Sequence, residues 1–146
     1  MTAITEPVIR ASQQTFGGHH NGHSHCIACG ASNALSLGLT FRNIGNGRVE
    51  GDIKPHRALQ GYRGILHGGI ISMMLDAAMT HCLFHHNITA VTADLHIRFL
   101  VSVPCDQNIR LCAWITSSKS PLYRLKSELH VSGQLMAYAE AKFLRK

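Results

Sequence analysis

The run from Ile65 to Phe84 constrains this chain more than any other segment. Ile70, Ile71, Met73, Met74, Leu75, Ala77, Ala78 and Met79 lie on nearly every side of a helical wheel. A helix so apolar all round is buried on most sides. His67, two glycines, Asp76 and His81 make the same stretch too polar for a bilayer core. The sequence therefore predicts one long internal helix over about 65–84, which some larger surface has to enclose.

The flanking segments supply that surface. Leu37-Gly38-Leu39-Thr40-Phe41-Arg42 alternates like a strand, Asn43 to Gly47 carries turn residues, and Arg48 to Lys54 reads as the return strand. Pro55 to Gly64 is a polar, glycine-bearing loop. After the helix, strand-like runs cover about 88–103, 107–117, 122–132 and 134–144, divided by Pro104-Cys105-Asp106, by Ser117 to Pro121 and by Ser132-Gly133-Gln134. Val91, Ala93, Leu95, Ile97, Phe99 and Val101 alternate with Thr92, Asp94, His96 and Arg98, the period-two pattern of a half-buried strand. Two strands, a helix and four strands make an α+β chain: an antiparallel sheet of about six strands around one central helix. One sheet wraps such a helix only partly, so the remaining apolar surface calls for a second subunit.

Residues 1–33 differ from the rest, being rich in Gly, His, Ser and Asn. They read as a partly mobile N-terminal arm with a short helix near Pro7 to Gln14, preceding a domain over 34–146. The first residues, MTAITEPVIRASQQTFGG, place Glu and Pro where a signal peptide has its apolar run, so a cytoplasmic location is expected. The odd count of five cysteines then argues for reduced thiols. The net charge of +6 suits an anionic ligand. The basic residues are scattered and do not interleave with aromatics, which argues against nucleic acid.

Chemistry concentrates on the helix. Its start, Leu66-His67-Gly68-Gly69, presents unpaired N–H groups and the positive end of the helix dipole. Such a site binds an anion or polarises a carbonyl whose oxygen gains charge. Gly69, Ser72, Asp76 and Thr80 follow at spacings of three and four and form one small, polar stripe. A carboxylate among apolar neighbours is costly unless it is paired, so Asp76 is either structural or catalytic. Gly68 and Asp76 stand roughly 12 Å apart along the axis and cannot both touch one reacting carbon. If both act, each helix serves two sites across a two-fold dimer.

Gly64-Ile65-Leu66-His67-Gly68-Gly69, followed after six residues by Asp76-Ala77-Ala78, resembles the hotdog-fold acyl-CoA thioesterases of the phenylacetic-acid-degradation and 4-hydroxybenzoyl-CoA thioesterase kind. Val91 to Leu100 before Pro104 is similar to the strand after that family's helix, and Cys26-Ile27-Ala28-Cys29-Gly30 with Leu37-Gly38-Leu39 resembles a variant of its N-terminal region. The resemblance spans about residues 23–145. It implies a hotdog fold, a homodimer or homotetramer, and hydrolysis of an acyl-CoA thioester with CoA as part of the substrate and no cofactor. It implies that the Gly68 amide polarises the thioester carbonyl and that His67 shapes the turn. Gln60 would be a second donor, one residue out of the expected spacing. Asp76 of the partner subunit would be nucleophile or general base, and Thr92 would help to hold the attacking water. Gly69 and Ser72 would line the substrate, and Lys119, Ser120 and Arg124, with Tyr123, would flank a loop open to a CoA phosphate.

His19, His20, His23, His25, Cys26 and Cys29 crowd together in the arm. One CxxC beside histidines can ligate zinc, but no second CxxC accompanies it, and no thioredoxin-like pattern supports a redox pair. No metal is expected on this reading. The rival functions are an acyl-CoA-binding hotdog protein without hydrolysis, a dehydratase of the same fold, and a zinc or thiol module on residues 19–29.

Overall fold

The computed structural model describes residues 22–146. The short helix expected near Pro7 to Gln14, and His19 and His20 of the patch, lie outside them. The elements are β1 (Arg42–Gly45), β2 (Arg48–Ile53), a 3-10 turn (Arg57–Leu59), α1 (Gly68–His85), β3 (Ala90–Phe99), β4 (Ile109–Lys119), β5 (Leu122–Val131) and β6 (Gln134–Arg145). All six strands join one antiparallel sheet in the order β1-β2-β4-β5-β6-β3. This is the expected α+β architecture, one sheet curled about one long helix.

Cross-strand register explains the close seating of the helix. Ala113, Ser127 and Ala139 are successive partners across β4, β5 and β6, so a row of small side chains crosses the inner face. Leu111, Leu129 and Ala137 form the next row. Against them lie Met74, Leu75, Ala78, Met79, Cys82 and Leu83, all essentially without solvent exposure. Tight turns hold the ladder: Ser132 at φ 50° and Gly133 at φ 78° close β5 onto β6, as the Ser-Gly signal predicts. No helix among the described residues is long and apolar enough to cross a membrane.

Three boundaries move, each for a local reason. The helix starts at Gly68, not Ile65, because the Leu66 N–H donates to the Val103 carbonyl and Ile65 bridges Pro104. It ends after His85, where Asn87 adopts a left-handed φ of 57°. The alternating run 37–42 is not β1. Leu37 and Leu39 donate their N–H groups to the carbonyls of Ile27 and Ala28, and the strand begins at Arg42. That arrangement brings Ala28, Cys29 and Leu39 into the same core as the helix, with Cys26, Leu37 and Phe41 packed on it. Part of the helix surface that seemed to need a second subunit is thus covered by the chain's own N-terminal residues.

β3 is an edge strand. Val91, Phe99, Leu100 and Val101 beside it are between 42% and 52% exposed, which leaves an apolar border along a ladder edge that no other strand pairs among the described residues.

Candidate functional site

The helix N-terminus is built around His67. Its backbone is extended at φ −62° and ψ 133°, and its Nδ1 accepts the Gly69 N–H at 2.8 Å. His67 is therefore the N-cap, with a ring nitrogen in place of the usual oxygen. The cap explains the second glycine: a Cβ on Gly69 would stand 3.0 Å from His67 Nδ1. His67→Ala removes the cap and should cost about 1 kcal/mol of stability. Urea unfolding measures this, and an unchanged midpoint would show that the cap contributes nothing.

With Gly69 N–H taken by His67, the Gly68 N–H has no acceptor among the described residues. It opens on a cavity of about 510 Å³ lined by Tyr62, Ile65, Leu66, His67, Gly68 and Ile71 on one side and Phe99 to Val103 on the other. The Phe99 ring passes 3.5 Å from where a Gly68 Cβ would be. The geometry is that of a bare donor at the positive end of an 18-residue helix, facing an apolar wall.

Asp76 lies two turns further along and is half-buried. Thr92 Oγ1 donates to its Oδ1 at 2.6 Å. Burial pushes the Asp76 carboxyl above the usual range, and the Thr92 hydrogen bond and the charge of His23 pull it partly back. Strict alternation puts Thr92 on the face of Asp94, His96 and Arg98, away from the helix. The structure corrects this with a bulge: Thr92 pairs with Phe143 and Asp94 with Lys142, so Ala93 is an extra residue. The inner face changes parity there, and Thr92 joins Leu95, Ile97 and Phe99 toward the helix.

The other expected residues divide. Ser72 Oγ donates to the Gly68 carbonyl at 2.8 Å, tightening the first turn. Gln60 Oε1 accepts the Gly64 N–H at 3.0 Å and braces the loop before the helix, outside the residues that line the Gly68 cavity. Lys119 and Ser120 sit at the β4–β5 hairpin tip, next to the cis Ser120–Pro121 peptide, and Arg124 lies on the outer sheet face beside Lys126 and Lys142. None of the three lines the Gly68 cavity. Tyr123 points the other way and is buried in the core.

For two histidines the sequence does not show what they meet in the fold. His23 faces Asp76 closely enough for each to bias the other's charge, and its ring meets Phe84 edge-on at 4.9 Å. His81 packs between Phe41 and Phe84, and burial pulls it down to about 4, so its ring is neutral. No spacing rule ties residue 23 to residue 76; only the fold brings them together.

Residues 63–123 match the family model of the thioesterase superfamily. No curated protein matches the chain. Among solved structures, a thioesterase superfamily protein superposes with a TM-score of 0.78 at 22% identity, covering 83% of this chain; this chain spans only 63% of that one. A putative thioesterase from Ralstonia eutropha, described as phenylacetic acid degradation-related, superposes with a TM-score of 0.72 at 21% identity, over 86% of this chain and 99% of its own. A hypothetical thioesterase from Streptococcus pneumoniae, solved with coenzyme A, gives 0.69 at 15% identity, over 74% and 88%. By sequence over residues 63–123 and by fold over most of its length, this chain is similar to the hotdog proteins of the thioesterase superfamily.

Proposed function

We propose that this protein hydrolyses an acyl-CoA thioester as a homodimer. The observation that carries the reading is the half-buried Asp76 carboxylate held by Thr92 at 2.6 Å, on the helix whose first amide is uncommitted. Thioester hydrolysis needs a donor for the developing oxyanion and a carboxylate that attacks or activates water. Gly68 offers the first and Asp76 the second. They are too far apart on one helix to share a substrate. The site is therefore completed by Asp76 of the partner subunit, and the exposed β3 edge with its apolar border is where the two sheets join. The thiolate is a good leaving group, so no strong acid is required. The basic charge of the chain favours the CoA phosphates.

The test is thiol release from short, long and aromatic acyl-CoAs. Two chains with complementary defects, Asp76→Asn and Gly68→Pro, are each nearly inactive alone. Mixed in equal amounts and allowed to exchange subunits, they should recover on the order of a quarter of wild-type activity, because each hybrid dimer holds one intact site. Failure to recover activity despite exchange rejects the shared site. CoA binding without turnover of any thioester would make the protein a binder.

Thr92→Val tests the pair itself. Asp76 must be ionised to act, burial raises its pKa, and the Thr92 bond lowers it. Without the hydroxyl the ascending limb of the kcat–pH profile should move to higher pH, with activity lost first on the acid side. A limb that stays put while the plateau falls would assign Thr92 to holding water only.

A further inference from the structure

Cys26 to Gly30 forms a tight loop that turns one of its own backbone donors toward sulfur. The Ala28 N–H donates to Cys26 Sγ at 3.3 Å, and the Gly30 N–H to the Cys26 carbonyl at 2.8 Å. A side chain at residue 30 is impossible without rearrangement, because its Cβ would lie 2.4 Å from the Cys26 nitrogen and 2.5 Å from the Ser24 carbonyl oxygen. The loop thereby points both thiols of the CxxC the same way. His23 closes the third side, with Nδ1 at 3.7 Å from Cys29 Sγ. One ligand atom each from His23, Cys26 and Cys29 all lie within 4.8 Å of one another. Donors around a tetrahedral zinc ion with two sulfur ligands stand roughly 3.8 Å apart, so small side-chain movements bring all three to bonding distance.

We propose that His23, Cys26 and Cys29 bind a thiophilic divalent cation, zinc by the chemistry of the donors, with the remaining tetrahedral position left to water or another donor. Two sulfurs and one imidazole are a soft-to-borderline set that suits zinc and does not suit calcium or magnesium. An N–H bonded to a cysteine sulfur also stabilises the negative charge that a thiolate ligand carries. The site is anchored at both ends. Cys29 belongs to the core, and the His23 ring rests on Phe84 of the helix. A bound ion therefore clasps the segment before Gly30 onto the helix that carries Asp76. A second cluster of Cys112, Glu128 and His130 also meets the distance criterion. It has one sulfur, and its Glu128 and His130 already pair with each other at 3.4 Å, so it is the weaker candidate.

The experiment uses the full chain, purified under reductant, stripped with chelator and titrated with Co²⁺ and then Zn²⁺. The expected result is one equivalent bound per chain, with a thiolate-to-cobalt charge-transfer band that zinc abolishes, and a higher unfolding temperature when loaded. Cys26→Ser, which keeps an acceptor for the Ala28 N–H, should lose both the band and the thermal shift while remaining folded by circular dichroism. His23→Ala should weaken binding while the variant remains folded by circular dichroism. Cys112→Ser should bind like wild type. The proposal is overturned if the reduced wild type binds no stoichiometric metal, if binding survives Cys26→Ser, or if Cys112→Ser is the variant that loses it.

Discussion

Asp76→Asn should reduce kcat for acyl-CoA hydrolysis by about 10²- to 10⁴-fold, the usual range for removing a general base, with KM little changed. Asparagine keeps the shape of the side chain, and its carbonyl oxygen can still accept the Thr92 hydroxyl. What it lacks is the charge and the second, basic oxygen that attacks or draws a proton from water. The structure also sets the expected effect on stability. Burial disfavours the Asp76 carboxylate, so a neutral amide in the same place removes a desolvation cost and the variant should unfold no earlier than wild type. That combination of a dead enzyme with an undiminished melting temperature separates a catalytic carboxylate from a structural one. Steady-state thiol release alongside a thermal melt measures both. Undiminished turnover would remove Asp76 from the mechanism, and collapse of the fold would make it structural.

The second large effect concerns a backbone atom. Gly68 is the first helical residue, where proline is well tolerated because the N–H there has no partner within the helix. The residue before it, His67, already has the extended ψ of 133° that proline requires of its predecessor. Gly68→Pro therefore deletes one N–H at a position where the helix can accommodate it. If that N–H stabilises the oxyanion, kcat should fall by about 10²- to 10³-fold. Gly68→Ala is the control. It keeps the N–H and places a Cβ at an ordinary 3.5 Å from the Phe99 ring, so it should retain most activity. Equal losses in both variants would point to crowding by Phe99, not to the missing donor.

Much of this was legible in the order of residues. The helix was marked by apolar residues on all sides, the strands after it by alternation, and the β5–β6 hairpin by Ser132-Gly133. His67-Gly68-Gly69 and Asp76 stood out as the candidate site because glycines at a helix start and a lone carboxylate among methyl groups are both unusual. What sequence could not show were features set by long-range backbone bonds. Leu37 and Leu39 alternate because they face the core, but their N–H groups go to Ile27 and Ala28, so alternation there did not mean a strand of the sheet. Thr92 was picked out by resemblance, while its face was misjudged from period two, because a bulge is invisible to a parity rule. His23 had no sequence signal linking it to Asp76 at all.

The extra residue at Ala93 has a consequence for β3 itself. Slipping the segment before it by one position would remove the bulge, seat Ala93 against Phe143, and turn Val91 inward in place of Ala90. That competing register is favoured by simple burial, since Val91 is now 52% exposed and a buried valine gains roughly 1.5 kcal/mol or more over an exposed one. It would also swing the Thr92 hydroxyl outward and leave Asp76 without its hydrogen bond. Within a single chain, the observed seating at the start of β3 thus gives up apolar burial to keep a hydroxyl on a carboxylate.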